Sequence, residues 1–232
     1  MLRVNDLAVS YGTTPVLCGL SLSVDSGEIV AVIGRNAAGK TTLFKAIMGL
    51  LPAHSGTLSL DGENLTPLPA YQRARRGLGY VPQGRMIFAE LTVQENLLIG
   101  ADLNPKEGNK RIEAILHQFP RLAERLRQLG GTLSGGEQQM LALGRTLVGN
   151  PKMLLLDEPT AGIQPSIVTE IEDRLRTINS QTDLPMIIVE HNLELVASLS
   201  SRVYVMNKGT IVAEIEPDQA QDESIVRAHL AI

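Results

Sequence analysis

Short runs of β-branched and aliphatic residues alternate along the chain with segments whose apolar positions recur at helical spacing. GEIVAVIG gives way to KTTLFKAIMGLL, KMLLLDEP to PSIVTEIEDRLRTI, and PMIIVEH to NLELVASLSS. This alternation predicts an α/β fold built on a parallel sheet. The runs Ile29–Ile33, Met153–Leu156 and Ile187–Val189 carry no alternating polar positions, as central strands covered on both faces require. The first 25 residues, and Arg202–Met206 with Thr210–Ile215, alternate instead and are punctuated by turn residues such as Asn207, Lys208 and Gly209. Antiparallel strands at the edges of a mixed sheet are expected there. Between Gln83 and Asn150 the strand pattern stops. TVQENLLIGADL, EGNKRIEAILHQFPRLAERLRQL and GEQQMLALGRTLV read as helices broken at Gly and Pro, which predicts an all-helical lobe inserted between strands.

Composition narrows the class. At 232 residues, 44% hydrophobic and 20% charged, the chain suits a single domain with an inserted lobe and excludes disorder and coiled coil. The expected division is a core of residues 1–85 and 150–232 with a helical subdomain of 86–149. With 21 Lys+Arg against 25 Asp+Glu, the net charge of -4 leaves no electrostatic footprint for a phosphate backbone, so no nucleic acid is expected as a partner. The single cysteine, Cys18, allows no disulfide within the chain, and the N-terminus lacks the basic and apolar regions of a signal peptide. A reducing cytosol is the expectation. No apolar stretch approaches the roughly 18 to 20 residues needed to span a bilayer, so membrane contact is expected only through a partner.

Gly34-Arg35-Asn36-Ala37-Ala38-Gly39-Lys40-Thr41 matches the phosphate-loop pattern G-x-x-x-x-G-K-[ST] between a buried strand and a helix that Thr42 continues. Backbone N–H groups at a helix N-terminus favour an anion, Lys40 suits β- and γ-phosphates, and the Thr41 hydroxyl suits Mg²⁺. The carboxylate completing that metal site belongs at the end of a second buried strand, where Met153–Leu156 leads into Asp157. Glu158 follows and can orient or deprotonate an attacking water. Ser134-Gly135-Gly136-Glu137 opens a further helix and forms a second anion site distant from the first. Its simplest use is in trans, in a head-to-tail pair of such domains. Its plain reading is a capping box, with Ser134 as N-cap and Glu137 at N3.

With these motifs in order, the chain resembles the nucleotide-binding subunit of ATP-binding cassette (ABC) transporters over nearly its whole length. Tyr11 resembles the aromatic residue that stacks on adenine, and Gln83 in YVPQGR resembles the glutamine that joins core to lobe and reaches the catalytic site and its metal. LSGGE resembles the family signature, Thr160–Pro165 the loop linking two sites across the dimer, and His191 the switch histidine at the γ-phosphate. The resemblance implies a P-loop NTPase fold with a mixed central sheet, an antiparallel β edge subdomain and an inserted all-α lobe. It also implies ATP with Mg²⁺, a second cassette subunit that is a copy or a paralogue, transmembrane permease subunits, and a place at the cytoplasmic face of a membrane. One departure stands out. The family usually has Gly where this chain has Ala37, and a positive φ there would cost an alanine about 1 kcal/mol.

The stretches YVPQGRMIFAELTVQENLLIG, FPRLAERLRQLGGTLSGGEQQMLALGRTLV and DEPTAGIQPSIV resemble the cassette subunits of hydrophobic amino acid uptake systems. LSGGEQQMLALGR leans toward branched-chain amino acids, whereas GIQPSIV and YVPQGR lean toward urea and short amides. A branched-chain amino acid importer ATPase is expected, with a urea or short-amide importer as the alternative. The rival classes are a soluble cassette ATPase without transport, for which a second cassette, coiled coil or basic surface is missing, and a nucleotide-gated scaffold without turnover. Ile87, Phe88, Leu91 and Val93 are candidates for a permease-receiving groove or for core packing. Arg73, Arg75 and Arg76 read as a solvated helical turn, with a face toward lipid headgroups or a partner as the alternative.

Overall fold

The computed structural model describes residues 1–103 and 106–230. β1 (Leu2–Tyr11), β2 (Thr14–Val24), β3 (Ile29–Gly34) and α1 (Lys40–Met48) come first, followed by β4 (Ser55–Leu60), β5 (Glu63–Asn64), α2 (Ala70–Arg75) and β6 (Leu78–Val81). A helical stretch then runs through α3 (Val93–Ala101), α4 (Gly108–Gln118), α5 (Pro120–Ala123) and α6 (Gly135–Val148). The alternation resumes with β7 (Met153–Asp157), α7 (Pro165–Thr182), β8 (Met186–Val189), α8 (Leu193–Leu199), β9 (Arg202–Asn207) and β10 (Thr210–Ile215), and closes with α9 (Pro217–Ala220) and α10 (Glu223–Leu230).

A six-stranded sheet has the order β10-β9-β3-β8-β7-β6, parallel throughout except for β10, which turns back antiparallel on β9. A four-stranded antiparallel sheet, β2-β1-β4-β5, forms the second layer. The continuous apolar runs occupy the middle of the parallel sheet, because only there are both faces of a strand covered. Within β7, Leu154 and Leu156 face the helical lobe and α7, while Met153 and Leu155 face α1 and the antiparallel sheet. The first core contains Leu97, Phe119, Met140 and Ile171, and the second contains Leu2, Leu20, Phe44 and Ile47. Register aligns Val32 with Val189 and Asp157 with Val189. The C-terminal ends of β3, β8 and β7 therefore lie side by side, the position at which parallel α/β sheets bind ligands.

Arg73 departs from the solvated turn expected of it. It is buried, and its guanidinium donates to the carbonyls of Ala46 and Ile47 (both 2.8 Å), Leu68 (2.8 Å) and Thr66 (2.9 Å). The last carbonyls of a helix lack intrahelical partners, and Arg73 supplies donors to those of α1. Arg75 does remain exposed, over the Tyr71 ring, and Arg76 pairs with Glu63 at 2.8 Å.

Candidate active site

β3 ends at Gly34, where a Cβ would collide with the Met206 carbonyl of neighbouring β9. The loop beyond it takes left-handed backbone at Ala37 (φ 64°) and at Gly39 (φ 108°), the N-cap of α1. Position 37 thus requires the conformation that disfavours alanine, at about 1 kcal/mol. No side chain caps α1, and Asn36 to Thr42 line an open cleft of about 620 Å³. The unpaired N–H groups and helix dipole make its floor an anion site.

Lys40 is almost buried, and its ammonium donates to the carbonyls of Gly34 (2.7 Å) and Arg35 (3.1 Å). Burial pushes its pKa below the ordinary lysine value, against the pull of Glu158 and Asp157. Asp157, 1% exposed, accepts from the Thr41 hydroxyl at 3.4 Å and from the Tyr80 hydroxyl at 3.2 Å. Burial raises its carboxyl above the usual range and the Glu158 charge adds to this, against Thr41, Tyr80 and Lys40. Burial, with Asp157 beside it, raises the Tyr80 phenol as well, so Tyr80 remains a donor. The Thr41 hydroxyl and Asp157 carboxylate form a pair of hard oxygen donors. They suit Mg²⁺, which binds through one or two carboxylates and completes its shell with phosphate oxygens and water.

Glu158 adopts a positive φ of 49° immediately after β7. Its carboxylate is held from two sides: Gln83 Nε2 donates to Oε2 at 2.7 Å, and His191 Nε2 lies 3.1 Å from Oε1. Gln83, Glu158 and His191 line the same cleft as the phosphate loop, together with Val16 of β2. Four segments far apart in sequence therefore supply an anion cradle, a cation, hard oxygen donors and a carboxylate in the wall of the cleft. That set can bind a polyphosphate and activate water beside it.

Other expected residues lie elsewhere. Tyr11 ends β1 exposed and outside the cleft lining, where Val16 stands instead. Ser134 to Glu137 form the tip of α6, also outside this cleft, with the capping box in place: Ser134 Oγ accepts from the Glu137 N–H at 3.4 Å, and Glu137 Oε2 accepts from the Ser134 N–H at 2.9 Å. Arg125 pairs with the other Glu137 oxygen at 2.8 Å. The box uses the N–H of Glu137 and leaves those of Gly135 and Gly136, so cap and anion site are compatible readings. Gly136 also packs closely on α7, where a Cβ would meet Ile167 Cγ2 at 2.6 Å. Of the candidate groove residues, Val93 belongs to the core, Ile87 packs against it, Leu91 is half-buried and Phe88 is exposed.

Sequence reasoning passed over Tyr80, Val16 and Glu190. Glu190 is buried, yet it bonds both Thr160 and the backbone of His191. The signal was present: Glu190 follows the apolar run Met186–Val189 as Asp157 and Glu158 follow Met153–Leu156. No helix of the described residues is long and apolar enough to cross a membrane.

The family model described as ABC transporter matches residues 17–161, more than half of the chain. The high-affinity branched-chain amino acid transport ATP-binding protein BraG of Pseudomonas aeruginosa is 40% identical over 213 residues, covering 91% of either chain. The lipopolysaccharide export system ATP-binding protein LptB of Haemophilus influenzae is 37% identical over 235 residues, covering 99% of this chain and 97% of its own. Among solved structures, the ADP conformation of an ATP-binding cassette of an ABC transporter superposes with a TM-score of 0.87 at 28% identity, over 100% of this chain and 99% of that one.

Proposed function

The chain belongs to the ABC transporter family as an ATPase subunit, and we propose that it hydrolyses Mg²⁺-bound ATP in a head-to-tail cassette dimer that drives a membrane importer of branched-chain amino acids. The observation that carries this reading is Glu158, fixed between Gln83 and His191 at the mouth of the phosphate loop. Lys40 and the N–H groups of Gly34 to Thr42 bind the phosphates, and Tyr11 offers its ring to the adenine. Thr41, Asp157 and Gln83 would hold Mg²⁺, which when bound neutralises charge developing on the phosphoryl oxygens. Glu158 takes a proton from the attacking water. His191 stays bonded to Glu158 and contacts the γ-phosphate. Ser134 to Glu137 of the second subunit cap that phosphate from across the interface, so nucleotide becomes part of the contact.

The helical subdomain, residues 86–149, offers Met86, Phe88, Leu98 and Ile99 as exposed apolar side chains. A permease loop seated there at the cytoplasmic face of the membrane would receive the closing motion. The substrate never touches this chain, and the branched-chain reading rests on the likeness to BraG and on LSGGEQQMLALGR. The likeness to LptB covers more of the chain and supports lipopolysaccharide export as the second reading.

Phosphate release by the purified subunit, with its permeases in proteoliposomes, tests the reading. Expected are turnover that requires Mg²⁺, at least a hundredfold loss on Glu158→Gln, and ATP-dependent leucine movement. Turnover unchanged by Glu158→Gln would remove the catalytic assignment, and turnover without leucine movement would remove the cargo.

A further inference from the structure

The mechanism above leaves one buried carboxylate unused. Glu190 is 3% exposed and directly follows the apolar strand β8. Its Oε1 accepts from the Thr160 backbone N–H at 3.0 Å and the Thr160 hydroxyl at 2.6 Å. Its Oε2 accepts from the His191 N–H at 2.9 Å and the Asn192 N–H at 3.3 Å. Among the described residues, none of the ion pairs involves Glu190. Four donors therefore offset the desolvation of a buried carboxyl group.

What those donors join gives the carboxylate a use. Thr160 stands two residues after Glu158, and His191 follows Glu190 directly. One carboxylate thus bridges the two segments whose side chains meet in the 3.1 Å contact between Glu158 and His191. The turn is pinned on its far side as well, because Asn192 Oδ1 caps α8 by accepting from Glu194 and Leu195 N–H groups. Capping of α8 accounts for Asn192 but not for the pair of bonds to Thr160, 30 residues away in sequence.

We propose that Glu190 is a positioning residue for hydrolysis: it fastens the Thr160 segment to the His191 turn and so holds the His191 imidazole on the Glu158 carboxylate. The proposal rests on the hydrolytic reading of Glu158. Glutamine is a poor replacement for Glu190, since it keeps one acceptor oxygen, and in either orientation of its amide the amino group would face backbone N–H donors, those of His191 and Asn192 or that of Thr160.

The test measures kcat and KM for ATP on the full chain carrying Glu190→Gln, Thr160→Val, His191→Ala, or Glu190→Gln with His191→Ala. It also records the imidazole resonances of the four histidines by NMR without nucleotide. Glu190→Gln is expected to lower kcat about tenfold or more with KM within about twofold, and Thr160→Val to follow with a smaller loss. Because Glu190 acts through His191, the double variant should be no slower than His191→Ala alone. The His191 resonance should move in Glu190→Gln while that of His54 stays. An unchanged kcat, a loss confined to KM, losses that multiply in the double variant, or an unmoved His191 resonance would each overturn the proposal. If Glu190→Gln does not fold, Thr160→Val decides by the same criteria. Absence of turnover in the unmodified protein would strike the hydrolytic reading instead, while the nucleotide-free resonance still tests the hold of Glu190 on His191.

Discussion

Gln83 Nε2 and Glu158 Oε2 lie 2.7 Å apart although 75 residues separate them in the chain. Gln83 leads out of β6 toward the helical lobe, and Glu158 is the carboxylate proposed to work on water. In that proposal a displacement of the lobe would reach Glu158 through this hydrogen bond. The bond uses the amino end of the Gln83 amide and leaves its carbonyl, the end with affinity for a hard cation. Gln83→Ala is expected to reduce kcat by about ten- to a hundredfold while leaving Mg²⁺-free nucleotide binding within about twofold. Turnover assays and equilibrium titration with a fluorescent nucleotide check both halves.

Ala37 holds φ at 64° and is exposed in the phosphate loop. Ala37→Gly should relieve about 1 kcal/mol of strain, reduced in part by the greater freedom of glycine in the unfolded chain. The expected result in calorimetry is an upward shift of Tm, by up to about 4 °C. A downward shift would mean that the loop relies on the alanine.

Asp157 is costly to the nucleotide-free fold. Its folded-state pKa lies above the ordinary value of 3.8, chiefly through burial, so the folded chain holds that proton more tightly than the unfolded chain. Stability contributed by the protonated form is present at acid pH and lost as pH rises from 3.8 through the raised value. Asp157→Asn removes the charge, so it should raise Tm near neutral pH, with the gain shrinking toward about pH 4. The same variant should lose Mg²⁺-dependent turnover. Thermal unfolding across the acid range, run beside the turnover assay, tests this opposition of stability and function.

Arg73 donates to four backbone carbonyls, two in the last turn of α1 and two in the segment leading to α2. Arg73→Ala would leave them without those donors, at a cost of about 2 to 4 kcal/mol. Urea unfolding should show the loss as a lower midpoint, whereas KM for ATP in the folded fraction should stay within about twofold.

Much of this was legible in the sequence where one physical requirement dominates. Continuous burial marked β3, β7 and β8, turn residues marked the β9–β10 hairpin, and the loop pattern marked the anion site. The antiparallel strand β4 and the short β5 and β6 were not announced, because β4 buries only Leu58 and Leu60 and β6 is four residues long. Arg73 was misread for a related reason. Local charge gives no sign that a neighbouring helix ends with unpartnered carbonyls within reach. Glu190 was marked by the apolar run it follows, but its bonds to Thr160, like the Tyr80 contact with Asp157, required the register that sets strand ends side by side.

The phosphate loop lines one cleft and the Ser134 helix tip lies outside it. The proposed joint use of the two on one nucleotide depends on a second subunit, and the most direct measurement is the structure of Glu158→Gln trapped with Mg²⁺ and ATP. Expected is a two-fold dimer in which each γ-phosphate contacts Lys40 of one subunit and the Ser134–Gly136 tip of the other. A monomer with nucleotide bound, or a dimer whose Ser134 tips point away from the phosphates, would contradict it.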